Sequence, residues 1–192
     1  MKKFFMALMS VALLAGMSSC DKENDGKENN QQEQQPAASV ATQVSCDFTL
    51  NISNDMLTYS DIVVEYYDKA TQTKKQATMT SKQWNYSVEN AALPVDLTMK
   101  VSGTLKDNFD VNTIDTFSVD YTATYSYKVK DANGKVLKQL NNNKSSKTGF
   151  SRNRTGNLYI DKVVEYYNNR GTKFVEFILN FDDKGEIIYP EE

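Results

Sequence analysis

The 192-residue sequence predicts a mainly β protein, an antiparallel immunoglobulin-like β-sandwich with one helix near the C-terminus. Three observations predict it. Apolar and polar residues alternate at a period of two over several long runs, which puts one face of each strand in a core and the other in water, as antiparallel sheets require. Turn sequences rich in Asp, Asn and Gly separate these runs at short spacing. Only one segment carries the period of a helix. A lipocalin-like β-barrel, whose meander is also followed by a helix and a strand, is the alternative arrangement of the same strands.

In chain order, the first strand is Val44 to Ile52, where every even position is apolar and Ser45, Asp47, Thr49 and Asn51 are polar. Cys46 falls in the apolar phase, so it reads as a small buried hydrophobe with a raised pKa. Asp61 to Asp68 and Lys74 to Thr80 are shorter strands, and Trp84, Tyr86 and Val88 mark the apolar face of another. Leu93, Val95, Leu97, Met99, Val101 and Leu105 form one long face, with Gly103 in the apolar register as a bulge or bend. The longest run is Phe117, Val119, Tyr121, Ala123, Tyr125, Tyr127 and Val129. Asp131-Ala132-Asn133-Gly134 then supplies a hairpin turn returning through Lys135 to Leu140.

Ile160, Val163, Val164 and Tyr167 stand at i, i+3, i+4 and i+7, which predicts a helix of about three turns. Asn157 is placed to cap its start, and Arg170 and Gly171 suit its end. Beyond it, Val175, Phe177, Leu179 and Phe181 line one face of a strand and Phe174 and Ile178 the other. A strand that is apolar on both faces needs a cover, and the preceding helix is the nearest. Asp183-Lys184-Gly185 is a second hairpin turn before Glu186 to Tyr189. Asp161 to Tyr167 nearly duplicates Asp61 to Tyr67, but the flanks do not match, so the two do not read as a repeat.

Composition narrows the chemistry. The chain contains no histidine, which removes the commonest general base, the serine and cysteine triads and the commonest zinc ligand. Its two cysteines are Cys20 and Cys46. The formal charge is −3, against a nucleic-acid partner, which selects basic domains. No paired-carboxylate spacing, phosphate loop or nucleophile elbow stands out. The sequence therefore assigns no catalytic residue, cofactor or metal and predicts a protein that is not an enzyme.

The N-terminus carries an address. Lys2 and Lys3 form a basic region, Phe4 to Gly16 an apolar stretch interrupted by Ser10, and Ser18 and Ser19 precede Cys20. This arrangement resembles the signal peptide and lipobox of Bacteroidota-type lipoproteins, with Met17 where the common box has Leu. The resemblance covers residues 1 to about 25. It implies cleavage after residue 19, lipid attachment at Cys20 and anchoring in the outer membrane. Cys20-Asp21-Lys22-Glu23-Asn24-Asp25 is similar to the lysine-plus-acidic signal that sends such proteins to the cell surface. Each buried acyl methylene contributes about 0.8 kcal/mol to such an anchor. Loss of Lys2 and Lys3 with the signal takes the formal charge from −3 to −5. Residues 20–42 then read as a lipidated, disordered tether, since Asp21 to Gln35 has no aliphatic or aromatic residue. A flexible chain of this length spans on the order of 25 Å. Residues 43–192 remain for a single domain, able to bury roughly 70% of its unfolded surface.

Three candidate sites emerge. Asn141 to Asn157 reads as a long loop carrying Lys144, Lys147, Arg152 and Arg154 with no acid, around Phe150. It is a possible anion-binding loop for sulfated glycans or an acidic partner, weighed against a plain solvated excursion. Asp107, Asn108, Asp110, Asn112 and Asp115 gather oxygen ligands of the kind calcium prefers, without the EF-hand glycine, and read better as a polar turn. Tyr66, Tyr67, Tyr159 and Tyr166 are aromatics of ambiguous phase that exposed positions would turn into a sugar-stacking platform, while Glu65 and Glu165 are ionisable groups beside aromatics. The leading expectation is a non-enzymatic surface binding or adhesion module for a protein or extracellular ligand. A glycan-binding accessory lipoprotein comes second, a lipocalin-like carrier of an apolar ligand third and a hydrolase last.

Overall fold

Period-two alternation becomes strand pairing throughout the computed structural model, which describes residues 39–153 and 158–190. Cys20, Arg154 and Asn157 lie outside the described residues. The strands are β1 (Ala41–Ile52), β2 (Ser60–Asp68), β3 (Thr73–Thr78), β4 (Gln83–Ala92), β5 (Val95–Asp96), β6 (Met99–Leu105), β7 (Thr116–Asp131), β8 (Val136–Ser151), β9 (Leu158–Tyr159), β10 (Val175–Phe177) and β11 (Asn180–Phe181). One sheet runs β4-β1-β7-β8-β9, a second β10-β6-β2-β3, and β11 and β5 form a small third. All pairs are antiparallel except the short β8–β9 contact. The fold is an antiparallel β-sandwich. The strands do not close on themselves, so the barrel alternative is overturned, and with it the interior cavity of a lipocalin-like carrier.

The core lies between the two large sheets. Val44, Cys46, Phe48 and Leu50 of β1 and Phe117, Val119, Ala123, Tyr125, Tyr127 and Val129 of β7 are buried on one side. Ile62 and Val64 of β2, Met99 and Val101 of β6 and Val175 and Phe177 of β10 face them. Cys46 is 1% exposed, and burial pushes its thiol far up, with Asp47 adding to the effect. The thiolate that nucleophilic chemistry needs is therefore suppressed.

β1 begins at Ala41, two residues inside the stretch expected to be tether. The long run from Leu93 to Lys106 keeps its alternation but not its continuity. A cis Leu93–Pro94 bond separates β4 from β5, and the chain then passes from the small sheet into β6 of the four-stranded one. Gly103 is no bulge, for it pairs in register with Ile62. A Cβ there would stand 2.6 Å from Ile62 Cδ1 and 2.7 Å from Phe174 Cε2, so the glycine serves close packing.

Both hairpin turns form as expected. The Asp131 carboxylate accepts the N–H groups of Asn133 and Lys135, and Gly134 takes φ +80°. The Asp182 carboxylate accepts those of Lys184 and Glu186, with Gly185 at φ +74°. A left-handed φ is the conformation glycine adopts at least cost.

Two helices interrupt the sheets. The unexpected one, α1 (Asn54–Tyr59), is a short turn capped by Ser53, whose hydroxyl accepts the Met56 N–H at 3.2 Å. The expected one, α2 (Lys162–Arg170), starts later than the apolar spacing suggests, with Asp161 before it and no side-chain cap. Ile160, Val163 and Tyr167 are buried as the spacing requires, whereas Val164 is exposed. Tyr167 accepts a 2.7 Å hydrogen bond from Ser60 and packs on Phe117 and Phe174, and burial pushes its phenol up to about 12. The helix thus covers Phe174. Gly171 does not stop the helix through a left-handed φ, since it sits at φ −63° and opens a single 3-10 turn, Gly171–Lys173. Its role is close approach, because a Cβ on Gly171 would meet the backbone oxygen of Gly103.

Candidate functional site

The basic segment is not a loop. Residues 141–151 belong to β8, which pairs with β7 without a break from Lys138 to Ser151. Alternation along the strand sends Lys144 to the inner face and Lys147 to the outer. Lys144 Nζ donates to the Glu176 carbonyl at 2.8 Å and stands 5.6 Å over the Phe177 ring, so it ties the two sheets together. Lys147 faces Asp120 across the β7–β8 pair. Arg152 bonds Asp115 at 3.2 Å and the carbonyls of Val111, Asn112 and Ile114, pinning the 107–115 turn. Phe150 is 1% exposed and packs on Phe117 and Tyr166. The three described cations therefore share no patch, and Phe150 cannot anchor a ligand.

The acidic turn behaves as a turn. Asp110 accepts the N–H and side-chain amide of Asn112, and Asp115 is spent on Arg152. Among the described residues no group of three or more Asp, Glu, His or Cys side chains is placed to hold a metal ion. Glu165 pairs with Lys162 at 2.8 Å on α2, while Glu65 lies in β2 between Gln76 of β3 and Lys100 of β6.

Of the four ambiguous tyrosines, Tyr166 packs on Phe150 and Tyr167, Tyr67 packs half-buried on the core, and Tyr159 is 46% exposed on β9. Tyr66 is the one that builds something new. Its ring meets Tyr86 at 4.5 Å and Trp84 at 5.4 Å, and the last two lie 5.9 Å apart and nearly parallel. Alternation puts Tyr66 of β2 and Trp84 and Tyr86 of β4 on inward faces, but β4 is an edge strand, so the cluster sits at the open side between the sheets. All three rings are half-buried.

A polar rim surrounds them. Lys75 lies opposite Tyr66 across the β2–β3 pair and forms an ion pair with Asp68, whose carboxyl this contact holds below its usual range. The same carboxylate caps the β2–β3 turn, accepting from Ala70 N–H and Thr71 Oγ1, each at 3.0 Å. The Tyr86 hydroxyl accepts the Lys69 N–H at 3.4 Å, and the Lys69 ammonium donates to the Glu89 carbonyl. Burial pushes the Tyr86 phenol up, so it stays protonated at neutral pH and keeps a hydroxyl to offer. The site offers flat apolar faces beside fixed donors and acceptors. Such faces can stack against a flat ligand, and the rim can exchange hydrogen bonds with it.

Two troughs also flank the second sheet. One of about 600 Å³ lies between α2 and strands β2 and β6, and one of about 680 Å³ lies under Ile188 and Tyr189, where Glu176 is held between Lys100 and Lys173.

Trp84 and Tyr86 were visible in the sequence only as core residues, because their alternation is the same as that of any inward face. The signal that separates them is the strand's place at a sheet edge, which no local pattern encodes. No family model matches the chain, and neither curated proteins nor solved structures give a match.

Proposed function

We propose that this is a lipid-anchored surface protein of the bacterial outer membrane, joined at Cys20, whose sandwich serves as a non-enzymatic binding or adhesion module. The Tyr66–Trp84–Tyr86 cluster carries the reading: three half-exposed rings with an ordered polar rim, in a chain whose lack of histidine and whose inert Cys46 leave the usual nucleophilic machinery without parts. The anchor is tested by growth with a tagged fatty acid. The wild type is expected to take up label into the membrane fraction and Cys20→Ala to take up none, while equal labelling of the two removes the anchor from the proposal.

A glycan is the ligand class that these side chains favour. Pyranose C–H faces stack on Trp and Tyr rings, and hydroxyls exchange hydrogen bonds with carboxylate, ammonium and phenol groups such as Asp68, Lys75 and Tyr86. On an array of bacterial and host glycans, Trp84→Ala is expected to lose at least about tenfold in affinity for any sugar the wild type binds, the usual cost of removing an aromatic anchor. Trp84→Phe should retain most of it. A wild type that binds no glycan leaves the protein-binding reading and discards this one.

A further inference from the structure

β8 is a long strand with one side open. It pairs with β7 along its whole length, yet on its other edge the described residues contribute only β9, at Phe150 and Ser151. From Lys138 to Gly149 it contains no proline and its pairing has no bulge, so two usual devices that blunt an exposed edge are missing. Val136, Leu137 and Leu140 are 42%, 37% and 41% exposed, a concentration of uncovered aliphatic side chains within five residues.

The direction of the backbone groups follows from two bonds. Arg152 N–H donates to the Asp115 carbonyl, which makes the even residues of β8 the ones bonded to β7. The odd residues then point their N–H and C=O groups outward. Asn143 agrees: its N–H is taken up by the Asn142 side chain at 2.7 Å instead of by β7.

We propose that this edge pairs with the same edge of a second copy of the chain, antiparallel, about a two-fold axis at Asn142. That register sets Leu137 against Lys147, Gln139 against Ser145 and Asn141 against Asn143, all odd positions whose backbone groups point outward, and keeps inner and outer faces continuous. On the inner face it sets Lys138 against Ser146 and Leu140 against Lys144. Every lysine thereby meets an uncharged residue, and the exposed Leu137 and Leu140 are covered by lysine stems. Shifting the axis to Asn141 sets Lys138 against Lys144, which like charge disfavours, and shifting it to Asn143 sets Leu137 against Gly149 and Leu140 against Ser146, which leaves both leucines without a lysine stem. The bond from Asn142 to Asn143 N–H is exchanged for one from the second copy's Asn141 carbonyl.

The test is cross-linking of the full-length chain. In the proposed register Asn142 faces its own counterpart across the axis at a separation that a disulfide spans. Under mild copper-phenanthroline oxidation in a Cys20→Ala background, Asn142→Cys is expected to give a covalent dimer and Ser145→Cys, which faces Gln139, little or none; Cys46, the remaining native cysteine, is buried and supplies no competing thiol. Adding Leu137→Lys, which sets like charges against Lys147, should reduce the Asn142→Cys dimer at least fivefold, and Leu137→Glu should preserve or raise it. Absence of an Asn142→Cys dimer in protein with a wild-type circular dichroism spectrum overturns the proposal, as does equal cross-linking at residues 142 and 145.

Discussion

Replacing Phe117 with alanine is expected to lower the unfolding free energy of the domain by about 4 kcal/mol, near the middle of the range for a buried aromatic. Phe117 is 1% exposed and meets four other rings, Tyr59, Phe109, Phe150 and Tyr167, at centroid distances of 5.7–6.4 Å. Those partners come from the end of α1, the turn before β7, the end of β8, and α2. The ring is the meeting point of four segments, so its removal leaves a cavity that no one of them can fill alone. With a urea slope of about 2 kcal/mol/M, the unfolding midpoint should fall by about 2 M. A shift below about 0.5 M would mean that the ring cluster does not carry the packing between α2 and the first sheet.

Gly171→Ala should destabilise, and the sign is the informative part. Gly171 has a helical backbone at φ −63°, where alanine is ordinarily worth up to about 1 kcal/mol more than glycine. Here the new methyl would meet the carbonyl oxygen of Gly103, a backbone atom that cannot rotate away. Relief requires moving the 3-10 turn off β6, and overpacking of this kind costs about 1–3 kcal/mol. Thermal unfolding of Gly171→Ala beside wild type decides it: a lower midpoint is expected, and a higher one would show that α2 does not approach β6 this closely.

The paired segments Asp61 to Tyr67 and Asp161 to Tyr167 show how far local sequence determines the fold. They differ only at their second residue, Ile62 against Lys162, yet the first lies in β2 and the second runs into α2. In β2 the buried positions are Ile62 and Val64, two apart; in the helical segment Val163 and Tyr167 are buried, four apart. The lysine at position 162 removes one apolar residue and so favours the longer period, while the rest of the decision is made by what each segment packs against.

Strands with one buried face were legible for the same reason that they are stable. Of β8 only the hairpin return to Leu140 was legible, because residues 141–147 have both faces largely exposed and so carry no alternation to read. Its cations looked like a loop patch until pairing with β7 sent Lys144 and Lys147 to opposite faces. α1 is held by one serine cap and a single buried residue, Met56, too little pattern for recognition. The division of the Leu93 to Lys106 run at Pro94 changes sheets without disturbing alternation, so periodicity alone could not register it.

The place of β1 has a mechanical meaning. The described chain enters the domain at the Ala41 end of β1, and β1 lies between β4 and β7, hydrogen-bonded to both. Antiparallel ladder bonds run perpendicular to the strand, so a force drawn along β1 from its first residue loads the bonds to both neighbours together, in shear. Peeling them one by one would need a pull across the sheet. A domain held by its N-terminus while its far end grips a ligand in flow would thus carry the load on a strand bonded along both edges.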